Sequence, residues 1–104
     1  MTPSSRRTRG RFADLNGFVD HTLADLTRTE TAVWLVLWRD TKPDGLAKTS
    51  QADLARRSGA SERMVRYALD GLVRKGLAKV VRQGRLGSGP SVYKVRGVNP
   101  DWSA

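Results

Sequence analysis

The first eleven residues, MTPSSRRTRGR, hold no apolar side chain after Met1. They have nothing to bury and read as a mobile basic arm over 1–11. From Phe12 onward, Phe12, Leu15, Phe18, Val19, Leu23 and Leu26 recur at helix-like intervals. Asn16-Gly17 interrupts them with two poor helix formers. The pattern therefore predicts a short or broken helix near 12–24 whose apolar side covers the core. Thr27 opens T-R-T-E, a capping box in which the Thr27 hydroxyl accepts from the Glu30 amide and the Glu30 carboxylate accepts from the Thr27 amide. A helix is predicted from about Arg28 to Thr41. Its centre, A-V-W-L-V-L-W at 32–38, is apolar all round, so it is buried on most sides. D-T-K-P-D-G then turns the chain at Pro43 and Gly45.

Leu46 to Thr49 fits a short strand. Ser50 stands as an N-cap before a helix over Gln51–Ser58, which Gly59 stops. Ser61 caps the next helix, Glu62 to Lys75, with Glu62 favourable in its first turn, and Gly76 ends it. Two β-prone segments follow, L-A-K-V-V-R-Q at 77–83 and V-Y-K-V-R at 92–96, separated by G-R-L-G-S-G-P-S. They predict a hairpin with a flexible tip. Residues 97–104 form a tail with one large apolar group, Trp102. The expected class is mainly α with a small β-hairpin, an α+β domain spanning 12–96.

Composition narrows the chemistry. With 104 residues and 38% hydrophobic content, the chain has material for one modest core. It has no cysteine, which excludes a disulfide framework, a thiol nucleophile and a cysteine zinc site. One histidine, His21, leaves no His-based metal set and little for acid–base catalysis. His21 reads as a surface residue, and turn chemistry accounts for Asp40 and Asp44. No apolar run exceeds seven residues, so no membrane span is expected, and the basic start lacks the apolar stretch of a secretory signal. The net charge is +9, from 19 basic and 10 acidic residues. Residues 61–104 carry nine basic and three acidic groups, so most of the excess lies there. A cytoplasmic polyanion partner is implied, with nucleic acid first.

Function is concentrated in Gln51 to Asp70, where two short helices meet at a turn containing Gly59. Ala55 permits a close helix crossing, and Leu54, Val65 and Leu69 share an apolar interior. At 100° per residue, Val65, Ala68, Leu69 and Leu72 fall on one side of the second helix. Arg63, Tyr67, Asp70 and Arg74 fall on the other, flanked by Arg66. A solvated face accounts for the charges alone. Arginines able to grip guanine, beside a tyrosine able to touch phosphate or a thymine methyl, also suit a base-reading surface.

The chain resembles winged helix-turn-helix DNA-binding domains, in particular small domains of phage and plasmid replication proteins and of bacterial regulators. The likeness rests on L-T-R-T-E (26–30), V-W-L-V-L-W (33–38), D-G (44–45), S-Q-A-D-L-A (50–55), G-A-S-E-R-M-V (59–65), A-L-D-G-L (68–72), K-G-L (75–77) and S-V-Y-K-V (91–95). It implies a three-helix core, an N-terminal helical segment and a two- to three-stranded wing. It further implies a recognition helix at 61–75 in the major groove and a wing at 82–91 on the backbone. Met64 departs from the pattern, standing where such domains often carry a hydroxyl residue.

The expected DNA-contacting set is Gln51, Ser61, Glu62, Arg63, Arg66, Tyr67, Asp70, Arg74, Arg82, Arg85 and Ser88. Glycines in the wing let backbone approach phosphates, and its serines can donate to them. The arm, Arg6 to Arg11, either enters a minor groove or serves as a solubilising tail. Trp34 and Trp38, four apart, either pack in the core or form a homodimer seam. The implied role is sequence-specific binding of double-stranded DNA in transcription regulation, in a cytoplasmic, nucleoid-associated protein. Replication or partition control on a mobile element is the near alternative. A winged helix that holds a protein partner is the alternative from another class. RNA ranks lower because its deep major groove excludes a helix. An enzyme is the weakest reading, and no catalytic residue, cofactor, metal or small-molecule ligand is called for.

Overall fold

The computed structural model describes residues 3–84 and 90–98, with the backbone alone for 3–9. Among these residues, four α-helices and one three-stranded antiparallel sheet make an α+β fold. The helices are α1 (Pro3–Gly17), α2 (Arg28–Asp40), α3 (Gln51–Ser58) and α4 (Glu62–Arg74). The strands are β1 (Ala47–Thr49), β2 (Ala78–Arg82) and β3 (Ser91–Val95), in the order β1-β3-β2.

The helix termini follow the sequence chemistry closely. Thr27 and Glu30 form the full capping box, with Thr27 N donating to Glu30 Oε1 at 2.9 Å and Glu30 N donating to Thr27 Oγ1 at 3.1 Å. Ser50 and Ser61 each accept a hydrogen bond from the amide three residues on. Gly59 and Gly76 adopt φ of 73° and 76°, which side chains disfavour, and each reverses the chain at a helix end. At Gly76 the amides of Gly76 and Leu77 return to the carbonyls of Val73 and Leu72, a Schellman closure that leads α4 into β2.

The N-terminal segment departs from expectation. Helix α1 begins at Pro3 rather than near Phe12, so residues 3–11 share one helix with 12–17. Proline suits a first helical turn, and each further residue adds a hydrogen bond to a helix already nucleated by its anchored end. Gly17 does not end the helical run. The chain continues as a wider π turn, Phe18–Thr22, and a 3₁₀ turn, Leu23–Asp25. The apolar side divides as well. Phe18, Leu15 and Leu26 pack on the core, whereas Phe12, Val19 and Leu23 are exposed.

The core joins α2, α3, α4 and the inner face of the sheet. Val33, Trp34, Leu37, Leu54, Val65 and Leu72 are fully buried at its centre. Phe18 stacks on Trp34 with ring centroids 3.8 Å apart, and the Trp34 indole donates to the Arg96 carbonyl at 2.9 Å. Trp38 is half-buried under the Arg11 guanidinium, 4.3 Å from its ring, and Arg11 also donates to the Thr41 carbonyl. Trp34 and Trp38, read as core residues or as a homodimer seam, pack within the chain, Trp34 against Phe18 of the π turn and Trp38 under Arg11 of α1. The exposed apolar residue of α2 is Leu35.

Glu30 ties α2 to α4. Its buried carboxylate caps α2, takes a 2.8 Å ion pair from Lys75 and lies against Gly71 in the middle of α4. A Cβ at Gly71 would overlap the Glu30 carboxylate. That close approach accounts for a glycine where an alanine would favour the helix by about 1 kcal/mol. Burial opposes ionisation of Glu30. The Lys75 ammonium and the Thr27 amide outweigh it and hold its pKa below the ordinary value of 4.5.

Two outcomes are expected. Gly71→Ala lowers unfolding free energy by about 1–3 kcal/mol in urea titration. In a Glu30→Ala background the same change becomes neutral or stabilising, and equal losses in both backgrounds would refute the steric coupling. The stabilisation from Glu30 is full above its ordinary pKa near 4.5 and fades as pH falls through the lower native value. Glu30→Gln should flatten the stability–pH curve in that window.

Candidate nucleic-acid interface

Helices α3 and α4 meet across Gly59, Ala60 and Ser61, and the turn is closed by the Ala60 amide on the Ala55 carbonyl at 3.1 Å. Ala55, Leu54, Val65, Ala68, Leu69 and Leu72 all belong to the core cluster. This fixes which side of α4 faces out. Ser61, Glu62, Arg63, Met64, Arg66, Tyr67, Asp70, Val73 and Arg74 are exposed. Tyr67 shows 61% of its surface and Met64 49%. The Arg63 guanidinium lies along Tyr67, 5.8 Å from the ring centroid, with Nε 3.4 Å from the hydroxyl. The pair forms one exposed ridge of planar groups.

Ser61 uses its oxygen as a cap on the Met64 amide, which leaves its hydroxyl proton available to donate. Gln51, the first residue of α3, is half-buried. Arg82 is exposed at the end of β2, just beyond a bulge between Val80 and Arg82. Arg85, Ser88 and Trp102 lie outside the described residues. Of the basic arm, Arg11 is described, and its contacts with Trp38 and Thr41 commit it to packing rather than to a groove.

The arginines divide into two groups. Arg57 pairs with Asp40 and, at 2.9 Å, with Asp53, and Arg56 pairs with Asp53 at 2.5 Å. Arg39 stands 3.6 Å from Asp40, and Arg96 stands 3.9 Å from Asp14. Among the described residues, Arg63, Arg66, Arg74 and Arg82 have no carboxylate partner. Arginines outside these ion pairs thus stand on the outer side of α4 and at the end of β2, and Arg28 is another at the start of α2.

Asp40 is a correction to the sequence reading. It bridges α2 to α3 through Arg57 instead of serving the turn, while Asp44 does accept from the Leu46 amide at 2.9 Å. The Arg57 hydrogen bond lowers the Asp40 pKa, and the same contact raises that of Arg57. Asp53 is lowered by Arg56 and by the Thr49 hydroxyl. Helical periodicity alone does not reveal this cluster, because its partners are 17 residues apart.

Among the described residues, no group of three or more His, Cys, Asp and Glu could hold a metal ion. No helix among them is long and apolar enough to cross a membrane. Comparison with known proteins finds no matching family model, no matching curated protein and no matching solved structure.

Arginines on the two sides of this division should behave differently. Arg57→Ala is expected to lower unfolding free energy by about 1–2 kcal/mol, since it takes from the partly buried Asp40 the partner that ties α2 to α3. Arg66→Ala should stay within about 0.5 kcal/mol of the parent. Urea titration of both variants is the check, and equal losses would contradict the division.

Proposed function

We propose that the chain is a winged helix-turn-helix protein that binds double-stranded DNA and regulates transcription without catalysis. In this reading α4 is the recognition helix and enters the major groove. The hairpin β2–β3 is the wing and follows the sugar–phosphate backbone. The observation that carries the reading is the outer face of α4. It offers Arg63, Arg66 and Tyr67, all exposed, with neither arginine in an ion pair among the described residues. A guanidinium can grip guanine O6 and N7 through two hydrogen bonds, and a tyrosine ring can meet a thymine methyl or a phosphate. A purely solvated face would do without an exposed tyrosine, and its arginines could be paired as those of α3 are.

The roles then divide by position. Arg63, Arg66 and Tyr67 face base edges from the first half of α4. Glu62 and Asp70 can accept from cytosine N4 and discourage other pairs. Ser61 donates to phosphate at the start of the helix, and Gln51 supports it from α3. Arg74 and Arg82 neutralise phosphates. Asp40, Arg57, Asp53 and Glu30 hold α3 and α4 in fixed relation and touch no DNA.

Duplex binding measured at several salt concentrations tests this reading. For about six to eight phosphate contacts the log–log salt slope should be about −5 to −7. Arg63→Ala should weaken binding to the selected sequence by about 1–3 kcal/mol and relax the preference at one base pair. Arg82→Ala should weaken binding to all sequences alike. An equal loss on selected and random duplex for Arg63→Ala would refute base reading, and no duplex binding at low salt would refute the proposal.

A further inference from the structure

The first helical segment keeps an apolar stripe in solvent. Phe12, Asn16, Val19 and Leu23 follow one another at i, i+4, i+7 and i+11 along α1, the π turn and the 3₁₀ turn. All four are exposed, and Phe12 and Val19 each show 55% of their surface. A separate side of the same segment does the packing, through Arg11 on Trp38, Leu15 on the core and Phe18 on Trp34. A helix that serves only to cover Trp34 and Trp38 needs no further apolar stripe beside that one.

Charge along the segment is divided as sharply. Residues 3–11 hold four arginines and no acid, whereas residues 12–26 hold Asp14, Asp20 and Asp25 and no lysine or arginine. Within one helical run this order opposes the macrodipole, which favours anions at the amino end and cations at the carboxyl end. Asp14 is occupied by Arg96 and the Gly97 amide. Asp20 and Asp25 are exposed and form no ion pair among the described residues. A layout that the helix itself disfavours suits a neighbour with the same layout reversed, and a second copy running antiparallel is such a neighbour. An anionic membrane would bring its charge against Asp20 and Asp25 beside the stripe. A nucleic acid would satisfy the arginines and leave Phe12, Val19 and Leu23 uncovered.

We propose that α1 and the turns after it form the seam of a homodimer, in which the two segments pack antiparallel across a two-fold axis. The register follows from the stripe. With Phe12 beside the partner's Val19, Arg6 falls about level with the partner's Asp25. Arg9 falls about level with the partner's Thr22, two residues or about 3 Å along the axis from the partner's Asp20. The two-fold repeats both pairings, so each arginine-bearing end meets an aspartate-bearing end. Asn16 then stands next to the axis and beside its own copy, where a single polar residue in an apolar seam fixes alignment. Trp34 and Trp38 stay inside each chain. This inference does not depend on the DNA-binding reading of α4.

The test uses the full chain without DNA. Light scattering at about 100 μM, about a hundredfold above a micromolar Kd, should give twice the 11.5 kDa of one chain. Phe12→Ser with Val19→Ser should return the mass to that of one chain. Both positions are exposed, and an unchanged near-ultraviolet signal from the Trp34 stack confirms that the variant folds. Charge reversal supplies the second arm. Asp20→Lys with Asp25→Lys should give monomers, because both ends of the segment are then positive. Arg6→Glu with Arg7→Glu and Arg9→Glu should do the same, because both ends are then negative. Mixing the two variants should restore the double mass, since opposite ends again attract. A monomeric parent would overturn the proposal, as would a double mass that survives the loss of Phe12 and Val19. A mixture that stays monomeric would overturn the antiparallel pairing on which it rests. A double mass that appears only when duplex is added would assign the segment to nucleic acid and overturn it as well.

Discussion

The carboxylate of Glu30 sets the position of α4. One side chain closes the start of α2, holds Lys75 at the far end of α4 and fills the notch at Gly71 between them. Each contact limits a different freedom. The cap fixes where α2 begins, the ammonium fixes the end of α4, and the missing Cβ fixes how closely the two helices approach. A buried carboxylate without these donors would be costly in a small core. With them it remains ionised, and the exposed side of α4 follows from where its buried side must rest.

Acidic residues are scarce, 10 against 19 basic ones, so where they stand decides what the arginines can do. Asp40 and Asp53 sit among Arg39, Arg56 and Arg57, and the Arg57–Asp40 pair ties α3 to α2. Asp14 and Glu30 act in the same way at Arg96 and Lys75. The outer side of α4 has its own Glu62 and Asp70, yet neither forms an ion pair with Arg63, Arg66 or Arg74 among the described residues. Arg63, Arg66 and Arg74 therefore stand outside ion pairs on a helix capped at both ends. Rigid placement of this kind is what recognition of a fixed pattern of donors and acceptors requires.

Local chemistry was well written in the chain. The capping box at Thr27, the serine caps at Ser50 and Ser61, and the stops at Gly59 and Gly76 each act within four or five residues. For that reason α2, α3 and α4 could be bounded to within a residue or so. The inward and outward sides of α4 were equally plain, because one period decides both. What the sequence withheld depends on distant partners. Asp40 is explained only once Arg57 stands beside it. Gly71 looks like a weak point in a helix until Glu30 is seen against it. That Lys79 lies opposite Lys94 needs the strand register, which alternation within one strand does not supply. The onset of α1 at Pro3 is not legible in the sequence, because that stretch has no apolar periodicity to announce a helix.

The residues just after β3 connect distant parts of the chain. Gly97 donates to Asp14 at 3.3 Å and accepts from the Thr22 hydroxyl at 2.6 Å, while the carbonyl of Arg96 receives the Trp34 indole. If this short stretch peels away, Thr22 and Trp34 are each left with a polar hydrogen in apolar surroundings. Fraying at residue 97 therefore disturbs the π turn and the innermost aromatic stack together. The early helical segment and the exit from the sheet form one cooperative unit of local opening, although some 75 positions of sequence separate Thr22 from Gly97.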